Sequence, residues 1–157
     1  MTDVEAINQA LRRLATQRES LKMERQTIID ALPTKALKAE VLKLSVVSLH
    51  VLSALTKKEL TGIELAEILA VTRGGITQAA KILLRVGMIV SYQSQNDRKK
   101  IFYQLTEKGR QIAKVHDEMH EKMDQKLKVA LFDQYDAQQK ALILQFLTDF
   151  IRVKNDL

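Results

Sequence analysis

The side chains best suited to holding a metal ion are the three histidines of the chain, His50, His116 and His120. His116 and His120 lie four residues apart, so a helix through them would place both imidazoles on one face. Two such ligands, joined by a third from another helix and by a carboxylate, can form a tetrahedral zinc site. Spacing alone is weak evidence, because a polar helix often carries two histidines by accident and a histidine on an apolar helix is usually a packed core residue. Both interpretations stay open at this point.

A second group of candidate functional side chains is cationic. Between residues 72 and 100, six Lys and Arg residues stand against the single anion Asp97, so this segment carries +5 of the chain's net charge of +6. Three of the cations, Arg98, Lys99 and Lys100, are consecutive. Clustered cations favour a polyanionic partner such as nucleic acid. Charge runs also occur on ordinary solvated surfaces, so the elements that carry the cations decide between the two interpretations.

A capping box predicts the start of a first short helix. The Thr61 hydroxyl can accept a hydrogen bond from the Glu64 amide, while the Glu64 carboxylate reaches back to the amide of Thr61. Leu60 precedes the box and serves as a hydrophobic staple. The apolar residues of this helix are predicted to form its buried stripe: Ile63, Leu65, Ile68 and Leu69.

A second short helix is predicted to begin at Arg73, because Thr72 is an N-cap residue that follows a tight turn at 70–71. Gly74 and Gly75 lower helix stability by roughly 1 kcal/mol each relative to Ala, but a residue without a side chain lets the helix end approach another surface closely. The apolar positions recur at intervals of three and four residues: Ile76, Ala79, Ala80, Leu83 and Leu84. The opposite face is therefore exposed, polar and basic, and it carries Arg73, Gly74, Thr77, Gln78 and Lys81.

A β-hairpin is predicted after Gly87, which ends the second helix. The runs 88–92 and 101–105 contain the β-branched and aromatic residues typical of strands. The polar loop between them, 93–100, ends in the three consecutive cations. A cationic loop between two strands, directly after a pair of capped helices, indicates a winged helix-turn-helix. These features occur together in the right order, which favours nucleic-acid binding over a chance pattern.

Long helices are predicted on both sides of this winged helix-turn-helix, which forms the DNA-binding head. One runs from Asp3 to Ile29 and ends before Pro33, and a second from Lys35 to Leu55 is apolar on nearly all sides and therefore central. Thr106 caps a helix that reaches about Leu131, and Asp136 caps a last helix that reaches about Val153. The apolar faces of the terminal helices exceed what a small head can cover, so a two-fold dimer is predicted.

Composition narrows the class of protein. The length of 157 residues suits one domain, and 46% hydrophobic residues suffice for a core. The absence of cysteine excludes disulfides and a thiolate nucleophile. No apolar run approaches the roughly 20 residues of a membrane span, and the N-terminus has no secretory pattern, so a cytoplasmic protein is expected. No Ser-His-acid set, phosphate-binding glycine loop or His-Glu-x-x-His stretch is present, so an enzyme is not expected.

The order of two helices, a capped pair, a wing and two closing helices resembles the MarR family of bacterial transcription regulators, over almost the whole chain. The most specific stretch is 96–109, NDRKKIFYQLTEKG, which resembles the family's wing and its Leu-Thr-x-x-Gly helix start. The resemblance implies one domain over 1–157, mostly α with a small β-hairpin wing. In it, 1–32 and 107–157 are dimerisation helices and 35–106 is the DNA-binding winged helix-turn-helix.

The resemblance and the exposed positions together predict that the helix from Arg73 enters the major groove with the wing beside it. A two-fold dimer then requires a palindromic operator in double-stranded DNA, with half-sites about one helical turn apart. The family places a wing Arg two residues after an Asp, whereas here Asp97 is followed by Arg98 and the matching position is Lys99. The predicted DNA contacts are Thr72, Arg73, Gly74, Thr77, Gln78, Lys81, Asn96, Arg98, Lys99 and Lys100.

The resemblance extends to a zinc-sensing branch of the family, the repressors of zinc uptake. In that branch one His lies late in the second helix and two lie at i and i+4 in the fifth, positions that match His50, His116 and His120. The implied fourth ligand is a Glu of the first helix. Glu24 is the best candidate for it, and Glu19 and Glu40 remain open. The branch's second metal site is not expected, because Val115 stands at its carboxylate position and the chain has no cysteine.

The resulting functional prediction is a homodimeric repressor that binds operator DNA with zinc as corepressor and controls metal-uptake genes. The main alternative is a MarR-type repressor released by a small organic or phenolic ligand, with no role for metal. A winged-helix module that mainly binds protein is a third interpretation. The salt dependence of DNA binding would distinguish the protein-binding module from the two repressor interpretations, because phosphate contacts release counterions.

Overall fold

The computed structural model describes residues 2–16, 19–97 and 99–156, except the side chains of residues 15–22. Within these ranges the chain is mainly helical, with one small antiparallel sheet and a short 3-10 turn at Phe132–Gln134. Among the described residues no helix combines the length and apolar character needed to cross a membrane. The helices are α1 Asp3–Thr16, α2 Glu19–Ala31, α3 Lys35–Val41, α4 Val46–Ala54, α5 Gly62–Leu69, α6 Arg73–Arg85, α7 Glu107–Ala130 and α8 Ala137–Asn155, and the strands are β1 Leu60–Thr61, β2 Ile89–Gln93 and β3 Ile101–Leu105.

The predicted winged helix-turn-helix is confirmed, and α5 and α6 begin at the predicted caps. The Thr61 hydroxyl accepts from the Glu64 amide at 3.3 Å, and the Glu64 carboxylate accepts from the Thr61 amide at 2.8 Å. The Thr72 hydroxyl likewise accepts from the Gly75 amide at 3.1 Å. The turn between the helices places Ala70 in the left-handed region, with φ 52°. These local bonds satisfy backbone amides that a helix start leaves without partners.

The wing is part of a three-stranded sheet in the order β1-β3-β2. Strands β2 and β3 are antiparallel, with Ile89 opposite Leu105 and Gln93 opposite Ile101. Strand β1 pairs with the other edge of β3, where Leu60 faces Tyr103. Leu60 was predicted only as a staple, because a two-residue strand has no alternation of apolar and polar residues that would identify it. This pairing ties the start of α5 to the wing.

The prediction of one helix from Lys35 to Leu55 is wrong. Helix α3 ends at Val41 and α4 begins at Val46, with Ser45 in an extended conformation between them. The Ser45 hydroxyl accepts from the Ser48 amide at 3.1 Å, so this serine starts a new helix as its N-cap. The predicted central burial applies to α4, in which Leu49 and Leu52 are fully buried.

The predicted N-terminal helix corresponds to two described helices, α1 and α2, and α2 continues past Ile29 to Ala31. Gln17 and Arg18, which fall between them, lie outside the described residues. Helix α2 ends before Pro33 as predicted. Thr34 caps α3, because its hydroxyl accepts from the Leu37 amide at 3.2 Å.

Three residues of the predicted buried stripes are exposed. Ile63 and Ile68 of α5 are 50% and 56% exposed, and Leu84 of α6 is 39% exposed. Leu65, in contrast, is fully buried. At 100° per residue, Ile63 and Ile68 each lie roughly 110° from the centre of the buried face of α5. Short helices that pack with a single narrow face leave such flanking positions in solvent.

The chain divides into two compact units, Met1–Met119 and His120–Leu157, and the division falls inside the continuous helix α7. The second unit contains the end of α7, the 3-10 turn and α8, which starts at the predicted cap Asp136. The exposed large apolar residues of α8 include Leu142, Leu144, Phe146, Leu147 and Ile151. The core of the first unit includes fully buried side chains from α2 to α7 and the sheet: Ile28, Val41, Leu49, Leu52, Leu65, Leu83, Ile89 and Ile112.

Candidate metal centre and nucleic-acid surface

Helices α2, α4 and α7 bring polar side chains together. Glu24 of α2 lies between His50 of α4 and His116 of α7: its Oε1 atom is 3.4 Å from His50 Nε2 and 3.3 Å from His116 Nε2. The two imidazole rings meet edge to face with centroids 5.3 Å apart. His120 lies one turn beyond His116 in α7, and Glu24, His50, His116 and His120 each offer one ligand atom within 4.8 Å of the others.

The packing of each helix explains these positions. His116 lies on the buried face of α7 with Ile112, Ala113 and Met119, at the three- and four-residue intervals of a helix. Glu24 precedes the fully buried Ile28 by one turn of α2. Glu24 and His116 are both buried, whereas the His50 side chain is 39% exposed. The group is therefore closed on the core side and reaches solvent at His50.

The spacing of the donor atoms fits a zinc ion. Zinc bonds of about 2.0–2.1 Å in tetrahedral geometry place neighbouring ligand atoms about 3.3–3.4 Å apart. The two separations around Glu24 Oε1 are 3.4 and 3.3 Å, which exceed the usual hydrogen-bond range of about 2.7–3.2 Å. Three imidazoles and one carboxylate also provide the four-donor set that zinc accepts. A cation among them would offset the cost of burying the Glu24 carboxylate.

Of the two alternatives to Glu24, Glu40 stands apart from this group. The Glu40 carboxylate pairs with Lys108 Nζ at 2.5 Å and is absent from the described cluster. The side chain of Glu19 lies outside the described residues. The structure thus brings the four predicted ligands together, and their binding of metal stays a prediction. Val115, at the position of the branch's second-site carboxylate, is partly buried apolar packing.

The predicted DNA contacts of α6 lie on one exposed face. Arg73, Gly74, Thr77, Gln78 and Lys81 are all exposed, and so is the N-cap Thr72. The Thr77 hydroxyl donates to the Arg73 carbonyl at 2.9 Å, so its oxygen remains available chiefly as an acceptor. No described contact tests the predicted role of this face, which stays a prediction.

The wing tip is shaped by Asp97. Its carboxylate accepts from the Lys99 amide at 3.0 Å, and its carbonyl accepts from the Lys100 amide at 3.0 Å. The turn leaves Asn96, Lys99 and Lys100 exposed, while Arg98 lies outside the described residues. These two bonds of Asp97 were not predicted, although an Asp before a turn is a recognisable signal for such a bond.

A cavity of about 450 Å³ lies between the starts of α5 and α6 and the wing. Arg73, Lys99 and Lys100 contribute cations to its lining, and Phe102 and Tyr103 contribute aromatic surface. No sequence pattern predicts this cavity, because it forms only when β1 and the wing pair.

Two residues of the helix-turn-helix and the wing, Glu64 and Tyr92, have shifted pKa values. The Thr61 backbone amide and hydroxyl donate to the Glu64 carboxylate and lower its pKa. On the wing, the Tyr92 hydroxyl donates to the Glu59 carboxylate, which raises the pKa of Tyr92. Tyr92 also stacks on Phe102 at 5.8 Å. This anchorage joins β2 to the segment before β1, and no sequence pattern pointed to it.

The chain is similar in sequence and in fold to known helix-turn-helix regulators. The family model for the HxlR-like helix-turn-helix matches residues 47–130, more than half of the chain. The transcriptional regulator AdcR of Streptococcus pneumoniae is 40% identical over 60 residues, which cover 38% of this chain and 41% of that protein. The chain spans about half the length of the first curated relatives that it matches.

Solved structures match over more of the chain. The adhesin competence repressor AdcR of Streptococcus pyogenes has a TM-score of 0.64 at 26% identity, covering 87% of this chain and 96% of that chain. ZitR of Lactococcus lactis, a zinc-responsive MarR family member, has a TM-score of 0.59 at 29% identity, covering 69% and 75%. A matching ZitR structure is a complex with DNA. The predicted resemblance to zinc-responsive MarR regulators and the winged helix-turn-helix fold are confirmed, although the matching family model is the HxlR-like one.

Proposed function

Because the chain belongs to the HxlR-like helix-turn-helix family, we propose that it is a dimeric, sequence-specific DNA-binding repressor with zinc as corepressor. The observation that carries the zinc role is the convergence of Glu24, His50, His116 and His120 at separations suited to a tetrahedral ion. The similarity to ZitR, a zinc-responsive regulator, supports it. The family and the relatives are regulators, and catalysis forms no part of the proposal.

The connection from the metal site to DNA runs through α4. His50 is on α4, and α4 packs against both α5 and α6. When bound, zinc would supply a positive charge shared by side chains of α2, α4 and α7. Glu24, His50 and His116 would then hold α4 in one position against its neighbours and restrain α6. If that position suits the operator, zinc and DNA each tighten the binding of the other by the same factor.

The proposed DNA surface combines the exposed face of α6 with the wing, and the exposed apolar residues of α1 and α8 would form the dimer interface. Val4 and Leu14 of α1 are 67% and 66% exposed, and Leu142 and Leu144 of α8 are 68% and 67% exposed. Contiguous exposed apolar surface is typical of protein–protein interfaces. A dimer would present two α6 helices to a palindromic operator in the cytoplasm. Control of metal-uptake genes would follow if zinc is the corepressor.

The test begins with elemental analysis of the purified protein, followed by selection of operator sequences from random duplexes with zinc present. Binding to the selected duplex is then measured by fluorescence anisotropy with zinc or with a chelator. We expect one zinc per chain at this site, and weaker DNA binding after chelation. His116→Ala should remove both effects, whereas Glu118→Gln, on the exposed face of α7, should change neither. Unchanged zinc content in His116→Ala would contradict the metal site, and failure to select any duplex would contradict DNA binding.

The cavity beside the wing favours a second candidate function, release by a small aromatic anion. Its volume of about 450 Å³ and its mixed cationic and aromatic lining suit such a ligand. Benzoate is a direct probe. If benzoate lowers the affinity for the selected duplex and chelation does not, the organic-ligand interpretation replaces the zinc one.

A further inference from the structure

Asp117 has a contact that neither metal binding nor DNA binding requires. Its Oδ1 atom lies 3.1 Å from Nδ1 of the neighbouring His116, and the Ser53 hydroxyl donates to the same oxygen at 2.5 Å. Adjacent residues of a helix point in directions about 100° apart, so such a contact is not a default of helix geometry. The Asp117 side chain is 42% exposed. A carboxylate at that exposure would turn toward water unless another group held it.

The role of this contact depends on which nitrogen of His116 carries the ring proton. A neutral imidazole has one N–H and one lone pair. The His116 ring lies between two carboxylates, Asp117 at Nδ1 and Glu24 at Nε2. If the proton is on Nδ1, it is donated to Asp117 and Nε2 keeps its lone pair. If the proton is on Nε2, that nitrogen donates toward Glu24 and cannot bind a metal.

Ser53 favours the arrangement in which the ring proton of His116 is on Nδ1. It lies one turn after His50 in α4, so the helix that carries one imidazole also carries the donor that holds Asp117. The Ser53–Asp117 bond joins residues 64 positions apart in sequence and ties α4 to α7. Metal-binding histidines commonly donate their second N–H to a carboxylate, which fixes the tautomer and the orientation of the ring.

We propose that Asp117 is a positioning residue that holds His116 as its Nδ1–H tautomer, with Ser53 fixing the Asp117 carboxylate. The consequence for zinc rests on the proposed function, whereas the tautomer is a property of the protein without metal. Asp117 acts through His116 and is not itself a ligand. It therefore determines how strongly the site binds zinc without changing how many ions it binds.

The first measurement is the tautomer. Long-range ¹H–¹⁵N correlation spectra of the zinc-free protein, recorded over a range of pH and compared where His116 carries a single ring proton, distinguish the protonated from the unprotonated ring nitrogen. Wild type should show His116 protonated at Nδ1, and Asp117→Ala should shift the proton toward Nε2. A purely structural role would alter thermal stability and leave the tautomer unchanged. Retention of the Nδ1–H form in a folded Asp117→Ala protein would overturn the proposal.

The second measurement is zinc affinity by competition with a fluorescent chelator. Asp117→Ala should weaken binding roughly 10- to 100-fold at unchanged stoichiometry. Asp117→Asn retains an acceptor oxygen and should recover part of this loss, and Ser53→Ala should produce a smaller loss than Asp117→Ala. Glu118→Gln removes an exposed carboxylate at the next position and should stay within about twofold of wild type, a control that excludes a general charge effect. Equal affinities of wild type and Asp117→Ala would refute the role of Asp117. If wild type itself takes up no zinc, the proposed function fails, and the tautomer spectra still decide whether Asp117 orients His116.

Discussion

Replacing Gly109 by alanine should strongly destabilise the protein, because no space exists for a side chain at the start of α7. A Cβ atom there would lie 2.0 Å from the carbonyl oxygen of Met88 and 3.1 Å from Leu105 Cδ2. The nearest obstacle is backbone, which cannot rotate away as the end of a flexible side chain could. The start of α7 and the backbone before β2 must therefore separate by at least about 1 Å to reach even a tight contact.

The expected cost follows from the bonds at this junction. The Thr106 amide donates to the Met88 carbonyl at 3.1 Å, and the Thr106 hydroxyl donates to the Gly87 carbonyl at 2.8 Å. Loss of two hydrogen bonds costs about 1 kcal/mol each, and strain from overpacking adds about 1–3 kcal/mol. Helix propensity returns at most about 1 kcal/mol for Gly→Ala. We therefore expect Gly109→Ala to lower the free energy of unfolding by about 2–4 kcal/mol, a large part of typical domain stability.

The assay is urea unfolding followed by circular dichroism, at one protein concentration because dimerisation would contribute to stability. Gly74→Ala is the matched control, since the nearest atom to its added Cβ is Thr72 Oγ1 at 4.0 Å. It should leave stability unchanged or raise it by up to about 1 kcal/mol, while weakening DNA binding if this helix end approaches the groove. If Gly109→Ala unfolds within about 0.5 kcal/mol of wild type, the reasoning about this junction is refuted.

Three further outcomes are expected. Replacing both Lys99 and Lys100 by alanine should weaken operator binding and reduce the slope of log affinity against log salt by about 2. The control Lys126→Ala, which removes a charge from an exposed part of α7, should leave this slope unchanged. An unchanged slope in the variant of Lys99 and Lys100 would exclude phosphate contacts at the wing. Thr61→Ala should cost about 1 kcal/mol of stability at neutral pH. Because hydrogen bonds from Thr61 lower the pKa of Glu64, this cost should be fully present above the ordinary pKa of a glutamate and shrink as the pH falls through the lowered value. A pH-independent difference in urea unfolding would contradict the capping bond. Zinc at about 100 times its Kd should stabilise the wild type by about 2.7 kcal/mol, and a melting scan that shows equal stabilisation of His116→Ala would argue against this site.

Features that depend on local hydrogen bonds can be predicted from the sequence, and the break at Ser45 is the exception. The caps at Thr61, Thr72 and Asp136 formed as predicted because each donor and acceptor lie within three residues of each other. The break at Ser45 has the same local character, since its hydroxyl binds the Ser48 amide. The apolar run of 41–52 hides this break in the sequence, because it continues on both sides of Ser45.

The candidate metal site also combines features that the sequence shows with features that only tertiary structure determines. The spacing of His116 and His120 follows from helix periodicity alone and was visible in the sequence. The choice of Glu24 required the resemblance, because several glutamates share its neighbourhood in the chain. The contact between Ser53 and Asp117 had no signal in the sequence, since it depends on the packing of α4 against α7.

The sequence by itself determined the order of elements, most helix starts, the cationic wing and the pairing of two histidines on one face. Those properties depend on residues within a few positions of one another, where backbone geometry sets the distances. Tertiary structure decided that Glu24 lies between His50 and His116, that Leu60–Thr61 joins the sheet, and that Gly109 meets the Met88 carbonyl. Each of these depends on how distant segments pack, and packing is fixed by the burial of the whole core rather than by any local pattern.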